Sequence, residues 1–213
     1  MHSGEFLFLL QGLKWTILLS ALGFVGGAIG GLAIALARTS KWAWLRKATA
    51  IYIGVFQGTP LLMQLFVVYY GLALIGIQLE AWIAVTVGFT LHASAYLGEI
   101  WRGSIEAVPR GQVEAANALG LKYLARTRHV VLPQAIRISL PATVGFLVQL
   151  IKGTSLAAIV GFTELARAGS ILSNQIFQPL LVYAIVGAMY FVLCWPLSLY
   201  GSRLEHRLAA STR

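Results

Sequence analysis

The sequence predicts an all-α integral membrane protein with five transmembrane helices, and three observations support this. Of the 213 residues, 58% are hydrophobic and only 11% are charged, whereas soluble domains carry about a quarter charged residues. The mean hydropathy is +0.78. A transmembrane helix takes roughly 20 residues, so the length allows about five or six spans with short connections. We therefore expect a single transmembrane domain over residues 1–213.

The predicted spans cover about 15–37, 48–75, 81–101, 139–162 and 180–200. The residues up to Lys14 are expected to form a short amphipathic segment before the first span. Gly23, Gly27 and Gly31 stand four apart in that span and leave one helix face low enough for close approach. Tight packing within the chain is the favoured interpretation, and contact with a second subunit is the alternative.

Most of the 16 Lys and Arg residues lie in the connection after the first span, in the loop 102–138 and in the tail that ends at Arg213. Basic connections are retained in the cytoplasm. The first span should therefore begin outside, and the carboxyl terminus should be cytoplasmic. The net charge of +9 is then a topological signal, and no nucleic-acid partner is expected.

Polar groups inside the second and third spans are notable because they are costly in lipid. Pro60 removes an amide donor and should bend or interrupt the second span. His92 lies near the centre of the third span, where it either hydrogen-bonds structurally or lines a pathway. Glu99 lies one turn from Arg102, and a stabilising ion pair is expected there.

The fourth span should begin at about Ser139, with Pro141 in its first turn. Its polar residues, with those of the second and third spans, are the candidates for a translocation path: Gln57, Thr59, His92, Gln149, Lys152, Thr154 and Ser155. For Lys152, an ion pair with Glu164 is favoured over a substrate contact. Thr154 and Ser155 have the alternative of bonding to their own helix.

The loop 102–138 contains the strongest functional signal. Pro109 suits the first turn of a helix, good helix formers follow from Gln112, and Gly120 is placed to end that helix in a left-handed conformation. Pro133 is expected to end the next segment and turn the chain back to the membrane. The alternative is an ordinary amphipathic loop on lipid headgroups.

The loop has Glu-Ala-Ala at 114–116, followed after three residues by Gly120, after nine more by Val130, and after one more by Leu132-Pro133. This order resembles the cytoplasmic EAA loop of ABC importer permeases of the type I fold. GTPLLMQLF at 58–66, the run 95–120, VLPQAIRISLP at 131–141 and KGTSLAAIVGFTELARA at 152–168 are similar to the polar amino-acid (histidine/glutamine/glutamate-type) subfamily. Gln57, Gly145 and Gly153 depart from the usual Arg, Asn and Asp of that subfamily, so substrate preference does not carry over.

The resemblance implies a multi-pass permease subunit of the bacterial inner membrane, with a coupling helix between the third and fourth spans. It assigns ATPase coupling to seven loop residues: Gln112, Glu114, Ala115, Ala116, Gly120, Leu121 and Pro133. The implied partners are an ABC ATPase dimer, a second permease subunit that is identical or homologous, an extracytoplasmic amino-acid-binding protein, and membrane lipid.

The sequence has no Gly-Lys-Ser/Thr phosphate loop, so ATP and Mg²⁺ are expected on the partner ATPase and no cofactor on this chain. No catalytic or metal site is expected, because Cys194 is the single cysteine and the chain has no Asp. An ion-coupled secondary transporter or channel is the alternative class, but it would require mid-membrane acidic residues.

Overall fold

The computed structural model describes residues 3–211, and side chains as far as Leu208. The described part consists of eight helices: α1 Ser3–Arg38, α2 Ala43–Gly58, α3 Leu61–Leu74, α4 Ala81–Glu106, α5 Arg110–Ala118, α6 Tyr123–Val160, α7 Leu165–Ile176 and α8 Pro179–Ser211. Four of these (α1, α4, α6 and α8) are long and apolar enough to cross a membrane, and α2 with α3 makes a bent fifth candidate. The all-helical membrane fold class is thus confirmed, and the predicted five spans are reached when α2 and α3 are taken as one broken span. The orientation remains a prediction from charge, and Arg213 lies outside the described residues.

Helix α1 is longer than predicted, because the segment before Lys14 is part of it. At about 1.5 Å per residue, its 36 residues exceed the hydrocarbon thickness of about 30 Å. The extra turns are held by tertiary packing: Leu9 is fully buried against Leu165, Ala168 and Leu172 of α7. The expectation of a separate amphipathic segment was therefore wrong.

The glycine stripe of α1 packs against α4 within the same chain. A methyl group added at Gly23 would lie 2.7 Å from Cβ of Phe89, and one at Gly31 would lie 2.9 Å from Cβ of Leu97. Lipid-exposed helices gain little hydrophobic stabilisation by associating, so close van der Waals contact must supply it. The interpretation as intrachain packing is confirmed.

The second predicted span is interrupted at Pro60, where α2 and α3 meet at a bend of 107°. Helix α3 contains a π-helical segment at Val67–Gly71 and ends before a turn at Gly76 with a positive φ of 88°. The predicted bend is confirmed, but the two arms are separate helices.

Helix α6 begins at Tyr123, well before the predicted start at Ser139. Pro133 does not end a segment. It lies in the first turn of the regular part Leu132–Gly153, directly after a π-helical turn in which the amide of Leu132 donates to the carbonyl of Thr127. Because that turn shifts the hydrogen-bond ladder, the missing amide of Pro133 is tolerated. Pro141 lies in the helix interior, so its predicted place in a first turn was also wrong.

The outer segment after α6 forms an amphipathic helix, α7, which the sequence did not predict. Helix α6 finishes as a 3-10 turn at Thr154–Val160, and Gly161 adopts a φ of 84°. The last helix also extends beyond its predicted end at residue 200, into the basic tail. Helix α4 likewise continues past residue 101 to Glu106.

The predicted pair between Lys152 and Glu164 is absent from the described residues. Glu164 is fully buried and instead caps α7, accepting hydrogen bonds from the backbone amides of Ala166 (2.9 Å) and Arg167 (2.8 Å) and from the Tyr190 hydroxyl (2.9 Å). A carboxylate in a helix N-cap needs no cation because several donors stabilise its charge. The expectation that Lys152 pairs with Glu164 was therefore wrong.

Near the carboxyl-terminal end of α4, the Arg102 guanidinium pairs with Glu99, as predicted, and also with Glu106 at 2.5 Å. The three side chains lie on one face of the helix at spacings of three and four residues. They form a charged cluster just before the loop that leads to α5.

Candidate functional site

A cavity of about 550 Å³ opens at the bend between α2 and α3. Helices α4 and α6 form its other walls. The residues that line it are Gln57, Gly58, Thr59, Pro60, Leu61, His92, Tyr96, Phe146, Gln149, Leu150, Gly153 and Leu156. The break between α2 and α3 thus borders this cavity.

Four of the seven predicted path residues line this cavity: Gln57, Thr59, His92 and Gln149. The bend presents the first two, α4 presents His92, and α6 presents Gln149. Because they come from three separate stretches of chain, the structure brings together groups that the sequence could only place at similar depth.

The other three path candidates do not line this cavity. Thr154 is fully buried, and its hydroxyl donates to the carbonyl of Ile151 at 2.7 Å. The Ser155 hydroxyl donates to the carbonyl of Lys152 at 2.8 Å, so both hydroxyls take the back-bonding alternative. Lys152 instead lines a groove of about 1030 Å³ between α6 and α8.

An aromatic wall gives the cavity its shape. The rings of Tyr96 and Phe146 stack with centroids 5.4 Å apart and planes 18° apart. The His92 ring lies 4.5 Å from Tyr96 and 6.1 Å from Phe146. Among the described residues that line the cavity there is no Asp, Glu, Lys or Arg. The cavity therefore offers amide, hydroxyl, imidazole and aromatic groups, which suit a small polar solute without a net charge.

Gln64 is the residue of this region that the sequence reasoning missed. Its side chain is 8% exposed, and its Oε1 lies 2.9 Å from Nδ1 of His92. The signal was present, since a glutamine inside a span is costly and needs partners for the same reason as His92. Tyr96 and Phe146 gave no comparable signal, because aromatic residues are common in any apolar span.

The second candidate site is the loop between α4 and α6, which carries the coupling residues. Helix α5 begins after Pro109, which is the N-cap residue and not part of the first turn. One face of α5 packs through Val113 on Val108 of the α4–α5 connection and on Val131 and Ala135 of α6.

The end of α5 is a Schellman motif. Gly120 has a φ of 73°, its amide donates to the carbonyl of Asn117 at 2.9 Å, and the amide of Leu121 donates to the carbonyl of Ala116 at 3.1 Å. The Arg126 guanidinium then donates to Oδ1 of Asn117 at 2.5 Å, which fixes α5 against the start of α6. The predicted sharp stop at Gly120 is thus present.

The predicted coupling residues divide between the two faces of α5. Gln112, Glu114 and Ala115 are exposed, and so is Pro133 at the start of regular α6. Ala116 is 3% exposed and belongs to the packed face, and Leu121 is half-buried. Gln112 is also the acceptor of a long hydrogen bond, 3.4 Å, from Gln134.

Three large apolar side chains at the end of α5 and the start of α6 are exposed: Leu119 is 80% exposed, Tyr123 63% and Leu124 75%. We call them the apolar trio. Large apolar side chains that project from a polar loop are typical of an interaction surface. The sequence reasoning treated Leu119 only as a helix former, although three such residues in a basic loop were a detectable signal.

The chain matches the family model described as "Binding-protein-dependent transport system inner membrane component" over residues 27–210. It is 38% identical over 205 residues to the probable amino-acid ABC transporter permease protein YckA of Bacillus subtilis, covering 96% of this chain and 91% of that protein. It is also 38% identical over 198 residues to the L-cystine transport system permease protein TcyB of the same organism, covering 92% and 85%.

Among solved structures, the chain is similar to one described as an amino acid ABC transporter with histidines, with a TM-score of 0.88 and 34% identity over 94% of both chains. An inward-facing structure of the MetNI methionine ABC transporter shares the fold, with a TM-score of 0.76 at 21% identity over 96% of this chain and 97% of that one.

Proposed function

Since the chain belongs to the family of inner membrane components of binding-protein-dependent transport systems, we propose that it is the permease subunit of an ATP-driven importer of polar amino acids. It resides in the bacterial inner membrane, and ATP hydrolysis belongs to a separate subunit. The coupling role rests on α5, a short helix with exposed residues on one face that lies between two candidate membrane spans.

The cavity at the α2–α3 bend is the proposed solute site. A zwitterionic amino acid has no net charge, and a lining of amides, hydroxyls and aromatic rings suits it. The names of two similar proteins, an amino-acid permease and an L-cystine permease, support the same substrate class. The path residues of this proposal are Gln57, Thr59, His92 and Gln149.

A second permease subunit, identical or homologous, is proposed to complete the translocation path. The support is Lys152, which is exposed in the groove between α6 and α8. A lysine that faced hydrocarbon would be costly, whereas a neighbouring subunit or a water-filled path would accommodate its charge. An extracytoplasmic binding protein would deliver the amino acid to the outer side.

Coupling to a pair of ATPase subunits is proposed to run through α5. Exposed Gln112, Glu114 and Ala115, together with the apolar trio, would fit a cleft of the ATPase. The packing of Val113 on Val108, which follows α4, and on Val131 and Ala135 of α6 would transmit a displacement of α5 to the helices that line the cavity. ATP acts by stabilising one arrangement of the pair, since only differential binding shifts such an equilibrium.

The Gln57→Arg variant tests the solute site. A cationic side chain at the neutral cavity wall should favour acidic amino acids and weaken uptake of basic ones, by about tenfold for one charge contact of about 1.4 kcal/mol. The measurement is competition by a panel of unlabelled amino acids against radiolabelled uptake in proteoliposomes. Gln175→Arg, an exposed glutamine on α7, is the matched control. An unchanged competition profile for Gln57→Arg would remove Gln57 from the site.

A further inference from the structure

The side-chain amide of Gln64 closes the break in the second span. Because Pro60 has no amide hydrogen, the carbonyl of Phe56 loses the donor it would have in a continuous helix. Nε2 of Gln64 replaces that donor at 2.7 Å, and it also contacts the carbonyl and the hydroxyl oxygen of Thr59, each at 3.0 Å. The amide of Met63 donates to the carbonyl of Pro60, so it does not compete for Thr59.

These contacts determine which way the Gln64 amide points. Two of the three partners of Nε2 are carbonyl oxygens, which only accept hydrogen bonds. A flipped amide would bring Oε1 against both carbonyls, which have no hydrogen to donate to it, and would remove the donor that each of them has from Nε2. Oε1 of Gln64 must therefore be the atom that faces Nδ1 of His92, at 2.9 Å.

The same logic determines the tautomer of His92. Oε1 of Gln64 is only an acceptor, so Nδ1 of His92 must carry the hydrogen. In the neutral ring, Nε2 then has a free lone pair. Nε2 of His92 makes no hydrogen bond within the part of the chain that the structure describes. This atom is also not fully enclosed by protein. Because His92 lines the cavity, this lone pair is available to a solute.

We propose that His92 is a specificity-determining residue whose Nε2 accepts a hydrogen bond from an N–H group of the transported solute, and that Gln64 is the positioning residue that holds His92 in this tautomer. This inference rests on the proposed solute site. Tyr96 and Phe146 keep the imidazole plane in place. The N–H group is either the α-ammonium of an amino acid or a side-chain amide, and both present the same donor.

The test uses the complete transporter, with its ATPase and binding protein, in proteoliposomes. The probes are radiolabelled L-glutamine, L-glutamate, L-arginine, L-histidine and L-cystine. His92→Asn keeps a donor near the position of Nδ1 but has no atom at the position of Nε2. His92→Gln extends a polar atom to the position of Nε2 and is the matched variant.

We expect His92→Asn to lower uptake at limiting solute about tenfold or more, as the loss of a hydrogen bond to a charged or buried group implies, and His92→Gln to restore part of it. A loss with L-glutamine but not L-glutamate identifies a side-chain amide as the donor, and an equal loss with both identifies the α-ammonium. Uptake of every transported probe by His92→Asn within twofold of the unmodified protein would overturn the inference. Failure of the unmodified transporter with all five probes would instead overturn the proposed solute class.

The tautomer is tested separately, without any solute, by nitrogen NMR of the ¹⁵N-histidine-labelled complex. The difference spectrum against His92→Asn isolates one ring among the four histidines of this chain. We expect a protonated Nδ1 and an unprotonated Nε2, and a mixture of tautomers in Gln64→Met, whose thioether sulfur is only a weak hydrogen-bond acceptor. An unprotonated Nδ1 in the unmodified protein would refute the role of Gln64.

Discussion

A Gly120→Val variant should insert into the membrane and yet lose ATP-driven uptake by at least about tenfold. Gly120 has a φ of 73°, a conformation that is a genuine outlier for a β-branched residue and costs about 1–3 kcal/mol. Apart from its chain neighbours, no atom of the described residues lies within 4 Å of a Cβ added at Gly120, so the effect is conformational and not a clash. Losing the Schellman bonds at this residue would misplace the end of α5 and the apolar trio with it.

Gly120→Asn is the matched control, because asparagine tolerates the left-handed conformation better than other residues with a side chain. Its uptake should stay close to that of the unmodified protein. Membrane insertion of both variants is checked by extraction and size-exclusion chromatography. Wild-type uptake by Gly120→Val would show that the end of α5 has no part in coupling.

The Leu119→Asp variant should weaken the association with the ATPase subunit. Leu119 is 80% exposed, and burying a leucine side chain contributes about 2 kcal/mol, which corresponds to about 30-fold in affinity. A buried, unpaired carboxylate adds to that loss. The measurement is co-purification of the ATPase with the tagged permease.

Ile77→Asp provides the control, because Ile77 is 49% exposed in the turn between α3 and α4, on the predicted outer side. It introduces the same carboxylate and should leave ATPase co-purification unchanged. Equal recovery of the ATPase with Leu119→Asp and with the unmodified chain would remove the apolar trio from the proposed interface.

The features that sequence reasoning predicted are those with a local physical cause. The missing amide of Pro60 produced the bend, and the glycine spacing of α1 produced the close packing on α4. Gly120 ends α5 because only glycine adopts its conformation freely. Each of these follows from the backbone chemistry of one or a few residues.

The features that it missed depend on tertiary contacts. The first turns of α1 are held by α7, which is distant in sequence. Glu164 has backbone amides and the Tyr190 hydroxyl as partners. The pattern of charged residues along the sequence does not indicate these partners. Pro133 was misread because a π-helical turn, which sequence patterns do not reveal, accommodates it.

The candidate cavity shows the same division. Gln57, Thr59, His92 and Gln149 were found because polar residues inside a span are costly. Gln64 was not predicted, although the same rule applies to it. The packing between α3, α4 and α6 decides which of these polar residues lie close together.

The most direct test of the account is amino-acid uptake by the purified permease reconstituted with and without its ATPase subunit, in the presence of the binding protein. We predict accumulation that requires ATP and the ATPase, and no accumulation driven by a proton or sodium gradient when the ATPase is absent. Accumulation of an amino acid by the permease alone, driven by an ion gradient, would contradict this prediction and identify a secondary transporter.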